Sequence, residues 1–266
     1  MEYENRHVLF CDILGFSEAV KNKSITVEEI FGIMRDLRNY MTAANILESD
    51  PTQSSDGNSY TIISIAEHFS DCIVISVEAT NLGVIWLCEV ASQLQEIIIK
   101  KGFLCRGSIT SGEIWHKNST IYGPAFIEAV ELEKSTKYPR IEISETAFKW
   151  FMTSDNEEDF EIVKIRKSQL ISIGEDGVTG IDPFSNLKIY SGKKSIPTAV
   201  SDLLDVWSKV ISKGLSHPDD CVLEKYNWMK TEYNKLVEGK NISLMPFRGY
   251  PSLKMSIIEY KRQENN

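Results

Sequence analysis

The sequence predicts an α+β fold, in which helices pack against a sheet of paired strands, followed by a C-terminal helical hairpin. Strand-type and helix-type apolar patterns alternate over about 190 residues, and several strands come in pairs separated by short turns. Two amphipathic helical patterns follow. A chain of 266 residues, 42% of them hydrophobic, can bury such a core. We therefore expect one domain at residues 1–192 and a helical extension at residues 193–266.

Each element is predicted by its local pattern. Apolar runs bounded by turn residues predict strands, which we expect at residues 7–12, 60–67, 69–77, 104–112, 113–122 and 140–143. Apolar residues at helical spacing predict helices, which we expect at residues 27–46, 82–101, 125–133, 145–151, 200–213 and 219–238. Gly102 is a typical residue for ending the second helix, and Ser144 is a typical cap for the fourth. We expect the helices on one face of the sheet.

The acidic composition argues against some classes of function. With a net charge of −9 and no cluster of Lys or Arg, the chain is not expected to bind nucleic-acid polymers. An anionic small molecule is compatible with this charge, because metal ions can neutralise it locally. Residues 82–99 are interrupted by Glu and Gln, so we expect no membrane-spanning helix, and the N-terminus lacks a signal-peptide pattern. Five cysteines without CxxC spacing indicate reduced thiols in a cytoplasmic protein.

Two aspartates stand at the ends of predicted strands. Asp12 ends the first strand, and Asp71 lies at the bend of the following hairpin. Two carboxylates at adjacent strand ends can hold two divalent cations, which activate an attacking oxygen and stabilise the leaving oxygens of a phosphoryl displacement. Aspartates are also frequent turn and cap residues. The two positions alone therefore leave a purely structural role open.

Four segments, in this order, resemble the class III nucleotide cyclases. Asp12-Ile-Leu-Gly-Phe16 is similar to the family's Asp-Ile-x-Gly-Phe segment, and Glu67-His-Phe-Ser-Asp71-Cys-Ile-Val-Ile75 to its second metal-binding hairpin. Arg106-Gly-Ser-Ile-Thr-Ser-Gly112 resembles the family's Arg-x-Gly-Ile-x-x-Gly strand and turn. The segment from Tyr122 to Glu133 resembles the following Gly-x-x-x-x-x-Ala helix. The resemblance covers about residues 5–190 and implies an antiparallel-rich sheet with a ferredoxin-like core.

The resemblance also implies an activity and roles for individual residues. Asp12 and Asp71 match the family's two metal-binding aspartates, and the carbonyl of Ile13 matches its backbone ligand. These groups would hold two divalent cations, Mn²⁺ or Mg²⁺. The implied substrate is a nucleoside triphosphate, whose ribose 3′-hydroxyl attacks the α-phosphate and releases pyrophosphate. The family is generally a head-to-tail homodimer with active sites at the interface, and Phe16 falls among the implied substrate-binding residues.

The sequence departs from the family at the residues that stabilise the transition state. Purine cyclases carry an Asn and an Arg on the helix that follows the matching glycine, and those positions here are Ile127 and Glu131. An apolar residue and a carboxylate cannot stabilise a developing phosphorane. Arg106 and Arg140 are the candidate catalytic cations that would replace them, and Arg106 is also a candidate substrate-binding residue. A salt-bridged structural arginine is the alternative for both.

This departure and other details resemble the pyrimidine cyclases of bacterial Pycsar antiphage systems. The details are Gly123-Pro-Ala, Tyr138-Pro-Arg-Ile and the tail segment from His217 to Trp228. In that branch the product, cyclic UMP or less often cyclic CMP, activates a separate effector that damages the infected cell. The resemblance therefore implies a second messenger for antiviral defence.

The identity of the base is open at this stage. Glu67 occupies the place that faces the base in the wider family, and Tyr60 is a further candidate for the base pocket. A carboxylate only accepts hydrogen bonds, which suits the amino group of cytosine, whereas the frequency within the branch favours UTP. We favour UTP over CTP. The alternatives are a guanylate cyclase, which Glu67 also suits, and a degenerate cyclase fold that binds a nucleotide without turnover.

Overall fold

The computed structural model describes residues 2–44, 46–48, 61–153, 167–188 and 198–238. The strands are β1 (Glu4–Leu14), β2 (Ile46–Glu48), β3 (Thr61–Phe69), β4 (Cys72–Glu78), β5 (Leu104–Lys117), β6 (Thr120–Tyr122), β7 (Ile141–Ile143), β8 (Ile171–Ile173) and β9 (Thr179–Ile181). The helices are α1 (Phe16–Lys21), α2 (Val27–Ala44), α3 (Asn81–Lys100), α4 (Pro124–Ser135), α5 (Glu145–Met152), α6 (Ser185–Lys188), α7 (Thr198–Gly214) and α8 (Asp220–Glu238). The predicted α+β class is confirmed.

The sheet is mostly antiparallel, with the strand order β2-β3-β4-β1-β5-β7-β9-β8, and β6 pairs with β5. The long strand β1 lies between β4 and β5 and is antiparallel to both. The pair β5–β7 is parallel, and α4 lies in the chain between these two strands. The first strand of the chain is therefore at the centre of the sheet.

Successive side chains of β1 point to opposite faces of the sheet, and each face has its own core. Leu9 and Cys11 are buried in the main cluster, which includes residues of α2, α3 and α5. Val8 and Phe10 pack against Ala125 and Ala129 of α4, on what we call the α4 face. The expectation that the helices share one face is therefore wrong for α4. Its alanines allow the helix to lie close to the sheet, where the hydroxyls of Ser108 and Thr110 on β5 donate hydrogen bonds to the carbonyls of Ala129 and Ala125.

Strand β5 is longer than predicted. The expected break at Gly112 is absent, because both Gly112 and Glu113 continue the ladder with β1. The turn instead lies at Asn118 and Ser119, which have φ values of 52° and 55°. Two consecutive residues with positive φ are typical of the tight turn that joins antiparallel strands. Glycine composition alone therefore misplaced the hairpin.

Helix α3 is the apolar helix of the core. It is long and apolar enough to cross a membrane by length and composition, yet 67% of its apolar stretch is buried inside the fold. Thr80 caps its start by accepting a hydrogen bond from the Gly83 N–H at 2.9 Å. Gly102, with φ of 86°, follows its end as predicted. The helix belongs to the interior of this fold.

The C-terminal hairpin predicted from two amphipathic patterns is confirmed as α7 and α8. Its buried residues Trp207 and Met229 share a cluster with Leu104 at the start of β5 and with Phe184. The ring of Phe184 meets that of Trp207 edge-to-face, with centroids 4.8 Å apart. The hairpin is therefore docked on the first part of the chain. The predicted domain boundary after residue 192 lies outside the described residues.

Replacement of Gly107 by alanine tests the packing at the centre of the sheet. A Cβ at Gly107 would lie 2.3 Å from the Phe10 carbonyl oxygen of β1, so backbone must move. We expect the free energy of unfolding to fall by about 1–3 kcal/mol, measured by urea denaturation. Gly32→Ala is the matched control, because its Cβ enters open space on a helix and should stabilise by roughly 0.5–1 kcal/mol. Equal effects of the two substitutions would contradict this packing.

Candidate active site

Asp12 lies in a row of side chains that crosses four strands on the α4 face. In this row the backbone register places Phe69 of β3 beside Cys72 of β4, Cys72 beside Asp12 of β1, and Asp12 beside Arg106 of β5. Asp12 and Cys72 are half-buried, and the Cys72 thiol donates a hydrogen bond to the Asp12 carboxylate at 3.6 Å. The row brings a carboxylate, a thiol, a guanidinium and an aromatic ring to one end of the sheet.

Asp71 is brought to Asp12 by the tight turn between β3 and β4. Ser70, the first residue of the turn, has φ of 56°. The Asp71 carbonyl accepts a hydrogen bond from the Ile13 N–H at 3.0 Å, which ties the turn to β1 directly after Asp12. The Ser17 hydroxyl of α1 donates to the Asp71 carboxylate at 2.6 Å. The chain that follows Asp12 therefore holds Asp71 in place.

The donor set of this cluster fits a divalent cation. One ligand atom from each of Asp12, Asp71 and Cys72 can be chosen so that all three lie within 4.8 Å of one another. Carboxylate oxygens are the ligands that Mg²⁺ and Mn²⁺ prefer. Burial and the charges of Asp12 and Asp71 raise the pKa of the Cys72 thiol to about 12. The thiol is therefore protonated at neutral pH without a metal, and the two carboxylates are the expected anionic ligands.

The two carboxyl groups are shifted in opposite directions. Burial raises the pKa of Asp12, and the neighbouring charges of Asp71 and Glu133 raise it further. Burial also raises the pKa of Asp71, but hydrogen bonds from Ser17, from its own backbone and from Ser70 outweigh this and lower it. Hydrogen-bond donors therefore stabilise the ionised form of Asp71, whereas burial and neighbouring negative charges disfavour the ionised form of Asp12.

Arg106 is half-buried and paired with a buried acid of α4. Its Nε donates to Glu133 Oε1 at 2.6 Å, and its Nη2 lies 2.5 Å from the same oxygen. Its Nη1 donates to the carbonyl of Thr136, just after α4, at 3.1 Å. Arg106 therefore lies beside Asp12, with its charge partly neutralised by Glu133. The catalytic and substrate-binding roles stay predictions.

Other predicted residues lie in different surroundings. Arg140 binds Glu142 and Asp176 at 2.7–3.1 Å and is a buried ion-pair residue. Phe16 is 3% exposed and meets Phe103 edge-to-face in the main core, so this placement does not support a substrate contact. The contacts of Arg140 favour the salt-bridged alternative, and its catalytic role stays a prediction.

Of the two residues predicted to contact the base, Glu67 lies on the same face of the sheet as Asp12. Glu67 pairs with Val74, and Val74 pairs with Phe10, so Glu67 lies on the α4 face in the row next to that of Asp12. Tyr60 lies outside the described residues. Ile127 and Glu131 are exposed on α4, at the positions where purine cyclases carry polar residues that act on the substrate.

Several residues of the site were not predicted from the sequence. Glu133 follows Ala125 and Ala129 at intervals of four residues, so an acid on the sheet-facing side of α4 was a usable signal. Ser17 carries no sequence signal for its contact with Asp71, because the two residues are 54 positions apart in the chain. Phe69 is 50% exposed, and its closeness to Asp71 in the sequence was the one feature that could have indicated a place in the site.

Three solved structures are similar to this chain. The catalytic core of a rhodopsin-guanylyl cyclase with converted specificity, in complex with ATPαS, is 14% identical, with a TM-score of 0.40 over 57% of this chain and 83% of that chain. A bacterial light-regulated adenylyl cyclase is 14% identical, with a TM-score of 0.37 over 58% of this chain and 47% of that one. A class III adenylyl cyclase-like ATP-binding protein from Pseudomonas aeruginosa is 13% identical, with a TM-score of 0.40 over 69% of this chain and 39% of that one.

No protein-family model and no curated protein matches the chain. The match spans less than half the length of the adenylyl cyclase and of the ATP-binding protein. Similarity at this level does not assign a reaction, so a functional assignment depends on the residues of the site.

Asp12→Asn is expected to stabilise the metal-free protein at neutral pH. The pKa of Asp12 is higher in the folded protein than in the unfolded chain. Protonated Asp12 therefore contributes fully to stability below the unfolded-state pKa, and this contribution is lost as the pH rises through the folded-state pKa. The variant should therefore melt at a higher temperature at pH 7–8. The difference should shrink as the pH falls and Asp12 takes up its proton.

Thermal unfolding followed by circular dichroism in EDTA measures this difference across pH. Glu28→Gln, which makes the same charge change at an exposed position of α2, is the control and should show no such pH dependence. A variant that melts lower than the wild type at pH 7–8 would show that ionised Asp12 is stabilising.

Proposed function

We propose that this chain is a nucleotide cyclase, which converts a nucleoside triphosphate to its 3′,5′-cyclic mononucleotide and pyrophosphate. The observation that carries the proposal is the Asp12–Asp71 pair, held at adjacent strand ends within the four segments that resemble class III cyclases. Such a site binds a triphosphate in an acidic protein because metal ions stand between the carboxylates and the phosphates. The proposal includes two divalent cations, Mn²⁺ or Mg²⁺, on Asp12, Asp71 and the Ile13 carbonyl.

Bound cations of this kind lower the pKa of an attacking hydroxyl and stabilise charge on the leaving oxygens. Residues of this chain orient the Asp71 carboxylate and the Arg106 guanidinium. Ser17 and the turn backbone hold the Asp71 carboxylate in its ionised form and in one direction. Arg106, the register neighbour of Asp12 on β5, is the candidate for stabilising charge on the α-phosphate, and its pairing with Glu133 restricts where the guanidinium points. In the reaction the 3′-oxygen bonds to the α-phosphorus and its proton passes to solvent. The bond between the α-phosphorus and the bridging oxygen breaks, and that oxygen leaves with the pyrophosphate.

A pyrimidine nucleotide is the proposed substrate, and UTP is favoured over CTP. The support for UTP is the resemblance to the Pycsar pyrimidine cyclases. Glu67, one row from Asp12 on the α4 face, is the candidate base contact, and its chemistry by itself leans towards CTP. The choice of Glu67 as a base contact rests on its chemistry as a hydrogen-bond acceptor. The proposal extends to a cytoplasmic homodimer with interface active sites. Its product would act on a separate effector in antiphage defence.

A turnover assay tests the proposed reaction. The purified chain is incubated with each of the four nucleoside triphosphates and Mn²⁺ or Mg²⁺, and the products are separated by chromatography. We expect a 3′,5′-cyclic pyrimidine nucleotide, and a rate lower by roughly 10²-fold or more in Asp71→Asn. Glu28→Gln on α2 should retain the wild-type rate. The absence of any cyclic product from all four substrates would refute the proposal.

Glu67→Gln tests base recognition. An amide can donate a hydrogen bond where the carboxylate only accepts one. We expect the ratio of cyclic CMP to cyclic UMP to fall by about tenfold, as for one hydrogen bond to a charged group. The measurement is product analysis with all four substrates present at equal concentration, and Glu113→Gln on the exposed side of β5 is the control. An unchanged ratio would place Glu67 away from the base, and cyclic GMP as the main product would favour a guanylate cyclase.

A nucleotide-binding module without turnover is the second candidate. It is favoured by the exposed Ile127 and Glu131 on α4 and by the neutralisation of Arg106 by Glu133. A rise in melting temperature with nucleotide and metal, without any cyclic product, would favour this candidate over the cyclase.

A further inference from the structure

The loop after α4 links Arg106 to the C-terminal hairpin. Thr136, which accepts the hydrogen bond from Arg106 Nη1, is two residues before Tyr138. The ring of Tyr138 stacks on that of Trp228 in α8, with centroids 5.2 Å apart and an interplanar angle of 9°. A short chain of contacts therefore runs from α8 to the guanidinium beside Asp12.

The same loop is held to the sheet at its other end. The Arg140 carbonyl accepts a hydrogen bond from the N–H of Gly107, directly after Arg106, at 3.1 Å. The Arg140 guanidinium lies 5.8 Å from the ring centroid of Tyr138 and 5.9 Å from that of Trp228. Carboxylates of Glu142 and Asp176 fix this guanidinium. The rings of Tyr138 and Trp228 therefore lie beside a guanidinium that two carboxylates hold in place, and this cation–π interaction stabilises the stack.

Helix α8 is held in place by buried apolar contacts. Met229, next to Trp228, is 1% exposed and belongs to the cluster that also contains Leu104 and, at its edge, Leu14. Leu14 and Leu104 are register partners and form the row next to that of Asp12 and Arg106. The hairpin is therefore connected to the site by two sets of contacts. One set involves Leu14 and Leu104 at the strand ends, and the other involves Tyr138 in the loop after α4.

We propose that Trp228 is a positioning residue, which acts through Tyr138 and the loop after α4 to hold Arg106 beside Asp12. The C-terminal hairpin is then part of the working site rather than an independent appendage. The inference deepens the proposed function and rests on it for the role of Arg106 in turnover. The positioning itself is a structural statement, which can be measured without turnover.

The experiment uses the full chain and two aromatic residues of α8. Trp228→Ala removes the stack on Tyr138, and Trp228→Phe keeps an aromatic ring. Tyr233→Ala is the matched control, because the contacts of Tyr233 are with the ring of Phe184 and the carbonyl of Leu204 rather than with the ring of Tyr138. Tyr138→Ala removes the other half of the stack and serves as a second variant if Trp228→Ala does not fold.

The first readout is the NMR signal of the Arg106 Nε–H, assigned by its loss in Arg106→Lys. We expect its hydrogen exchange to be about tenfold faster in Trp228→Ala, near the wild-type value in Trp228→Phe, and unchanged in Tyr233→Ala despite a lower melting temperature. An unchanged exchange rate in both Trp228→Ala and Tyr138→Ala, or an equal acceleration in Tyr233→Ala, would overturn the proposal.

The second readout is turnover. We expect kcat to fall about tenfold in Trp228→Ala, with KM changed little and most of the rate recovered in Trp228→Phe. An equal loss in Tyr233→Ala would indicate general destabilisation and would also overturn the proposal. If the wild-type chain makes no cyclic nucleotide, the proposed function fails, and the exchange rate of Arg106 alone decides the positioning role.

Discussion

The pairing of β1 with β4 on one side and β5 on the other is the constraint on which the rest of the structure depends. This register places Cys72 and Arg106 on either side of Asp12 and points all three side chains to the α4 face. A slip of one residue would exchange Asp12 for an apolar neighbour and turn the carboxylate into the main core. Because that core is apolar, the slip would bury the Asp12 carboxylate without a partner, and it is therefore disfavoured.

The site that results concentrates negative charge. Asp71 and Glu133 lie close enough to Asp12 to raise its pKa, and Arg106 is a cation that lies beside Asp12 and pairs with Glu133. Like charges in a half-buried place raise the pKa of the least supported carboxyl, which here is Asp12. A bound divalent cation would remove this repulsion. The arrangement is therefore costly for an isolated protein and well suited to metal binding, a combination that is typical of functional sites.

Most elements of the fold were predicted from the sequence, because their patterns depend on residues that are neighbours in the chain. The helical hairpin, the buried strand before Asp12 and the end of α3 at Gly102 follow from such patterns. The errors have a common origin. Gly112 was interpreted as a turn, although its backbone continues the ladder with β1, and α4 was assigned to the wrong face. Periodicity identifies a helix but does not say which side of a sheet it covers.

The candidate site divides in the same way. Apolar runs and turn residues mark strand ends locally, so the sequence was enough to place Asp71 at a turn and Asp12 near the end of its strand, which continues two residues further to Leu14. The hydrogen bond from Ser17 to Asp71, the pairing of Glu133 with Arg106 and the stack of Trp228 on Tyr138 are known from the tertiary structure alone. These contacts join residues far apart in the chain. Their partners depend on how helices pack on the sheet, and a single sequence carries no local pattern for such packing.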